Sequence, residues 1–329
     1  MRSATPEDLP TLRELASAGL IHDPDAGAVV DLLWSSAAEG CRIVLEHPGD
    51  GSGDSSGDGD TAAGTRVIGF ALGSLRPAHD DIPATGHVNL LVVGPQDRER
   101  GHGRALLAEL ERRLAAAGAT RLRIRGNPPY FAWPGIDVRY TPAACLATAA
   151  GYERLLDCNN MLVDLAVADL DTEHDERRLA QAGIGIEVRR ARPEDEKALC
   201  AWLDEEFGGT WGQEAAMALR NDPPRLHVAV REGAFLGFAG HGIQRVAMFG
   251  PMGTDEAARG LGIGAVLLRR CLADQRDAGI AVAEIGWVGP VRFYSKTVGA
   301  TLGRVFWAFE KTLEKTLEKS VASEKSASA

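Results

Sequence analysis

The stretch Arg259-Gly260-Leu261-Gly262-Ile263-Gly264 follows an apolar run and opens an amphipathic one, an arrangement that few folds can use. Three glycines at alternate positions let the backbone turn successive N–H groups inward on an anion, with the positive end of a helix behind them. The stretch therefore reads as a phosphate cradle. A fainter version stands at Arg100-Gly101-His102-Gly103-Arg104-Ala105, 159 residues upstream (259 minus 100) in a chain of 329. A spacing close to half the length makes a duplicated domain the first expectation.

The openings of the two halves agree with that. Thr5-Pro6-Glu7-Asp8 and Arg192-Pro193-Glu194-Asp195 each follow a short strand-like run, with proline in the first turn of a helix and acids near its positive end. In the first half the apolar strand His87 to Val93 leads into the weaker loop. A helix from Gly103 to Ala117 follows, with Leu106, Leu107, Leu110 and Leu114 on one face, then the strand Arg121 to Arg125 and a helix from Pro142 to Ala150. In the second half the order is strand Gln244 to Met252, the stronger loop, helix Gly264 to Ala278, strand Ala281 to Trp287 and helix Pro290 to Val298.

These patterns predict an α/β (α+β) chain of two similar domains, each a mixed central sheet flanked by helices. The first is expected over 1–167, with 49–64 as a disordered insertion because it has no apolar residue larger than alanine. Residues 168–185 read as a partly helical connector, 186–313 as the second domain and 314–329 as a fraying tail. Three prolines between Asn127 and Thr141 exclude regular structure there, and its aromatics suit a contact surface.

A net charge of -10 argues against nucleic acid as a partner, since that electrostatic binding needs a basic face. It suits a cationic ligand such as an amine, although solubility is the more common reason for such a balance. No apolar run approaches the length of a membrane span, and the N-terminus has neither a basic nor an apolar signal segment. Five scattered cysteines without C-x-x-C spacing read as reduced thiols. A cytoplasmic monomer or homodimer is expected, with no membrane partner and no metal.

Taken together, the chain resembles the GCN5-related N-acetyltransferases (GNAT), twice over. Arg259-x-x-Gly262-x-Gly264 is similar to that family's acetyl-CoA pyrophosphate loop, and Phe293-Tyr294-Ser295-Lys296-Thr297-Val298-Gly299-Ala300 to its closing motif. In the first half Arg100-x-x-Gly103-x-Ala105 and Ala149-Ala150-Gly151-Tyr152 match more loosely. The resemblance implies acetyl-CoA as cosubstrate, held by Met252, Gly253 and Thr254 on the strand and by Arg259, Gly260, Leu261, Gly262, Ile263, Gly264 and Ala265. Arg100, Gly101, His102, Gly103, Arg104 and Ala105 form a possible second cofactor site. Where the family often has Asn and Ala before the tyrosine, this chain has Trp287 and Pro290.

The halves are not equivalent. Five residues beyond the helix-ending glycines Gly118 and Gly279 stand Arg123 and Glu284, and five before Gly151 and Gly299 stand Leu146 and Tyr294. Acyl transfer to an amine needs a base to deprotonate the ammonium and an acid to protonate the thiolate. Glu284 and Tyr294 are the catalytic candidates, with Asp204, Glu205 and Glu206 as rival bases or simply an acidic surface. Pro251 interrupts strand pairing and would leave the Met252 N–H free to polarise a carbonyl, or else marks an ordinary edge strand.

Within the tandem members, Phe249-Gly250-Pro251-Met252-Gly253 and Trp287-Val288-Gly289-Pro290, together with Tyr130 to Tyr140, resemble the bacterial glucosamine/glucosaminide N-acetyltransferases. The acceptor implied is a small-molecule amine, with Asp204 and Glu205 meeting the ammonium. Trp202, Trp211 and Trp133 would lie under a sugar face, unless they are core residues. Mycothiol synthase-like, aminoglycoside- or protein-modifying enzymes, and a non-catalytic acetyl-CoA-binding regulator, remain open.

Overall fold

The computed structural model describes residues 1–48, 65–181 and 183–313. The insertion at 49–64 and the tail at 314–329 lie outside the described residues.

The first elements in chain order are β1 (Arg2–Ser3), α1 (Leu9–Gly19), α2 (Ala26–Ser36), β2 (Arg42–Pro48), β3 (Thr65–Arg76) and β4 (Thr85–Val93). Then come α3 (His102–Ala116), β5 (Arg121–Ile124), β6 (Ile136–Asp137), α4 (Thr141–Ala149), β7 (Glu153–Asp164) and α5 (Glu173–Ala180). The rest are β8 (Glu187–Arg190), α6 (Glu196–Glu206), α7 (Trp211–Leu219), β9 (Leu226–Arg231), β10 (Ala234–His241), β11 (Met248–Thr254), α8 (Ile263–Asp277), β12 (Val282–Ile285), α9 (Val291–Val298) and β13 (Thr301–Thr312). None of the described helices is long and apolar enough to cross a membrane.

The chain divides into two units, one comprising Met1–Leu156 with the chain from Trp307, the other Asp157–Phe306. The connector read at 168–185 lies inside the second unit, where α5 buries Leu179 in the core. Helix α2, whose Val29, Val30 and Leu33 are buried, had no counterpart in the sequence reading.

In the first unit β1, β2, β3 and β4 pair antiparallel in sequence, and β5 joins β4 in parallel from Thr85↔Arg121 to His87↔Arg123. The end of β13 then pairs antiparallel with β5, Phe309↔Ile124 to Thr312↔Arg121. Side chains alternate across the sheet. Phe70 and Leu72 face α1 and α2, whereas Ala71 and Val88 face α3.

The second unit repeats this. Strands β8 to β11 are antiparallel, β12 joins β11 in parallel, and the end of β7 pairs antiparallel with β12, Met161↔Ile285 to Asp164↔Val282. Val228 and Phe238 pack under α6 and α7, while Ala229, Ala239 and Ile285 pack under α5, α8 and α9. Each unit is thus a mixed sheet with helices on both faces, and each is completed by a strand from the other half of the sequence. The strand after α4 completes the second sheet and the strand after α9 completes the first. Sequence order alone carries no sign of that exchange, because either strand is an apolar partner for either edge.

Candidate active site

In the second unit β11 ends at Thr254, a tight turn follows over Glu256–Ala258, and α8 begins at Ile263. Gly260 and Gly262 have φ of 82° and 89°, the left-handed region that a β-carbon disfavours. A Cβ on Gly264 would lie in ordinary contact with Phe293 Cζ (3.5 Å), Thr254 Oγ1 (3.7 Å) and Met252 Cε (3.9 Å). The end of β11, the start of α8 and the start of α9 therefore converge on one spot. Ile263 is buried against Gly237 and anchors the loop to β10, while Arg259 is exposed and pairs with Glu256 at 3.4 Å. Gly253 lies under the Phe207 ring. Arg178, a residue with no role in the sequence reading, donates to the Leu261 carbonyl at 2.8 Å.

Strand β11 is irregular where proline predicts it. Its register with β10 runs Ala239↔Met252 and then His241↔Phe249, so Gly250 and Pro251 together oppose Gly240. On the other side, pairing with β12 is confined, among the described residues, to Met248↔Glu284 and Phe249↔Ile285. Beyond Phe249 the edge of β11 that faces β12 has no strand partner among the described residues, which leaves a slot at Pro251 and Met252. The Tyr294 ring stands edge-on to Phe249, with centroids 6.2 Å apart, at the closed end of that slot. It is 8% exposed, and burial alone pushes its phenol up to about 12. A phenol so placed keeps its proton at neutral pH and can donate it.

Glu284 sits between Ala283 and Ile285, which face α8, so strand alternation points its side chain to the opposite face of the sheet. There it is buried within a charge cluster. Asn160 Nδ2 donates to Oε1 at 2.6 Å, Arg245 to Oε2 at 3.2 Å, and Arg304 to Oε2 at 3.1 Å and Oε1 at 3.4 Å. Both oxygens are engaged, and both arginines are themselves buried. Asn160 Oδ1 also accepts from the Trp287 N–H at 2.8 Å, tying the cluster to the chain that leaves β12.

A second buried carboxyl faces the β10–β11 connection. Glu214, on α7, is 2% exposed and accepts from Gln244 Nε2 at 2.7 Å and Thr210 Oγ1 at 3.2 Å. Burial pushes it up to about 7 against those two hydrogen bonds. Gln244 on Glu214 and its neighbour Arg245 on Glu284 bring both acids to the same short connection. The sequence did carry a signal for Glu214: an acid among Ala215, Ala218 and Leu219 on the apolar stripe of a helix.

Of the expected acceptor residues, Asp204 and Glu205 are exposed at the end of α6, and the Asp204 carboxylate packs against Gly212 at the start of α7. Trp211 belongs to an aromatic cluster with Phe207 (5.0 Å) and Phe238 (5.4 Å). Trp133 belongs to the first unit, where its indole N–H donates to the buried Asp23 at 2.8 Å and Tyr140 donates to the same carboxylate at 2.8 Å.

The first unit's loop corrects the sequence reading. Helices α3 and α8 each run fifteen residues from a left-handed N-cap glycine, Gly101 (φ 84°) and Gly262. Aligned on those caps, Glu99 (φ 63°) matches Gly260, and Arg98, not Arg100, matches Arg259. The first copy is Arg98-Glu99-Arg100-Gly101-His102-Gly103, complete in its arginine and both glycines, whereas Arg104 and Ala105 lie within the helix. Counting from Arg100 shifts the register by two residues; the helix cap is what sets it. Arg98 is turned to the Val93 and Gly19 carbonyls at 3.1 and 2.9 Å, and His102 stands edge-on to His47. Leu146, in place of Tyr294, reaches within 3.4 Å of where a Gly103 Cβ would be, and Arg123, in place of Glu284, pairs with Glu310 at 2.7 Å.

Comparison with known proteins agrees with this geometry. The model of the Acetyltransferase (GNAT) family matches residues 54–129 and 196–299, once in each half. The chain is 32% identical over 229 residues to a mycothiol acetyltransferase of Thermomonospora curvata, covering 65% of this chain and 67% of that protein. Among solved structures, a GCN5-related glucosamine N-acetyltransferase region of a fungal multi-domain β-N-acetylglucosaminidase aligns over 94% of the chain with TM-score 0.70 and 16% identity. This chain spans 38% of that protein's length. A tandem GNAT protein from the clavulanic acid biosynthesis pathway aligns over 95% of this chain and 97% of its own, with TM-score 0.60 and 19% identity. At such identities the structural likenesses concern the fold alone. With a strand, glycine cradle, helix and closing helix in each half, and the family's own pattern matching both, the chain belongs to the acetyltransferase (GNAT) family.

Proposed function

We propose that the protein moves the acetyl group of acetyl-CoA to the primary amine of a small molecule in the second unit, with glucosamine or a glucosaminide as acceptor. The observation that carries this reading is Tyr294 at the closed end of the β11–β12 slot, beside the cradle at Gly260 to Gly264. The pyrophosphate lies on the cradle and the thioester in the slot. The neutral amine attacks the thioester carbonyl, the C–N bond forms, and the tetrahedral oxyanion takes the Met252 N–H as a donor. As the C–S bond breaks, Tyr294 protonates the departing thiolate, and the second proton released by the nitrogen as it becomes an amide restores the phenol.

The ammonium must first lose a proton on the opposite face of the sheet. Glu284 faces that side, but it is bound to two buried guanidiniums besides Asn160, whereas the donors to Glu214, Gln244 and Thr210, are neutral. We assign it to holding those arginines. Glu214, with a proton affinity close to neutrality, suits the base. Asp204 and Glu205 supply negative charge at the exposed end of α6 for a cationic acceptor.

The identity with a mycothiol acetyltransferase supports a second reading, in which the acceptor is a mycothiol-type amine. Thiol release from acetyl-CoA, screened against glucosamine, glucosaminides, mycothiol-type amines, aminoglycosides, polyamines and peptides, separates the two. Turnover on a free amino sugar supports the first and turnover confined to mycothiol-type amines supports the second. Coenzyme binding without turnover on any amine overturns both in favour of a regulator.

A further inference from the structure

Arg178 stands on α5, upstream of the whole second copy of the fold, and reaches the cradle. Its Nη2 donates to the Leu261 carbonyl at 2.8 Å and would lie 2.6 Å from a Cβ on Gly262, the N-cap of α8. Helix α5 is fastened to α8 beneath it. Arg269 donates to Asp175 at 3.1 Å, Arg270 donates to Glu176 at 2.7 Å, and Leu179 is fully buried. The arginine therefore has a defined place against the loop.

Its charge is the unexpected part. Helix N-termini favour anions, and a guanidinium there repels the positive end of the helix. The one ion pair Arg178 makes among the described residues, with Asp175 at 3.6 Å, is to a carboxylate already shared with Arg269. Two positive features meeting at one loop are favourable when a polyanion binds between or beside them. The first unit provides the comparison: its loop has the same arginine, glycines and backbone turn, yet among the described residues nothing lies within 4 Å of where a Gly101 Cβ would be.

We infer that Arg178 is a positioning residue for the coenzyme A pyrophosphate in the second unit. Carbonyl and N–H of a trans peptide point in opposite directions. By holding the Leu261 carbonyl, Arg178 keeps the Gly262 N–H turned to the opposite side, polarises that peptide into a stronger donor, and adds positive charge to the cradle. The inference rests on the second unit being the acetyl-CoA site, and it makes affinity for the pyrophosphate depend on α5, which the second unit adds ahead of β8.

Kinetics of the full chain test it, with acetyl-CoA and with acetyl-pantetheine, which lacks the pyrophosphate, as donors. In R178M the KM for acetyl-CoA is expected to rise roughly tenfold with kcat within about twofold, as loss of one charge-assisted contact implies. kcat/KM for acetyl-pantetheine should stay at the wild-type value, and R178K should recover most of the KM. An unchanged KM in R178M overturns the inference. So does an equal loss with both donors, which would mean a structural defect, or an R178K as weak as R178M. A wild-type chain that turns over no amine would instead overturn the proposed function, before any variant is compared.

Discussion

Tyr294 meets Phe249 edge-on, ring centroids 6.2 Å apart, at the last residue of β11 that is paired with β12. The phenol is thereby fixed at the end of the slot, and burial holds its proton well past neutrality. Y294F keeps the ring packing and removes the proton. Turnover is expected to fall by about a hundredfold, within the range for loss of a general acid, with the KM for acetyl-CoA little changed. A thiol-release assay checks this; a variant with wild-type kcat removes Tyr294 from the chemistry.

Glu284 is the carboxylate that two buried guanidiniums share, so its removal should be felt first in stability. E284Q leaves Arg245 and Arg304 buried without their carboxylate, which costs on the order of 3 kcal/mol. Calorimetry should show a lower melting temperature. The double variant E284Q/R304M should regain part of the loss, because one stranded charge is gone. Additive losses would mean that the pair is not coupled.

The Glu214 carboxyl titrates near 7 in the folded chain against about 4.5 unfolded, so the folded state binds more protons between those values. Stability from this group is therefore fully present below about pH 4.5 and lost as pH rises to about 7. The loss is on the order of 3 kcal/mol at 1.36 kcal/mol per unit. E214Q should lack that slope. Denaturant midpoints of wild type and E214Q measured from pH 5 to 8 should diverge over that interval and run parallel above it. If Glu214 is the base, the acidic limb of kcat/KM disappears in the same variant.

The first loop matches the second in backbone, which predicts that coenzyme A binds twice per chain. At φ 84° Gly101 tolerates no β-branched side chain, so G101V should open the turn. Equilibrium dialysis with coenzyme A is expected to give a stoichiometry near two for the wild type and near one for G101V. One site in both would leave the first loop a structural relic.

The duplication, the mixed sheets with helices on both faces, and the second glycine loop opening a helix were legible in the sequence. They rest on local signals: glycine where φ is positive, proline in a first turn, leucine at helical spacing. The same locality explains the first loop's misplaced register. Arg98 and Arg100 are equally good starting points in a string, and only the helix cap at Gly101 chooses between them. Pro251 was legible as a break in its strand, since a residue without an N–H cannot extend a ladder whatever surrounds it.

What the string alone could not carry is which distant groups meet. Asn160, Arg245 and Arg304 surround Glu284 from 124, 39 and 20 residues away, and Arg178 reaches Leu261 across 83. The strands after α4 and α9 likewise complete each other's sheets. The amino-acid sequence determined the local geometry of cradle, slot and helix ends, because backbone sterics and hydrogen-bonding capacity act over a few residues. The tertiary structure decided which carboxylate is bound up in a charge cluster, which is held near neutrality and where the Arg178 guanidinium falls, because burial and Coulomb interactions depend on distances in space.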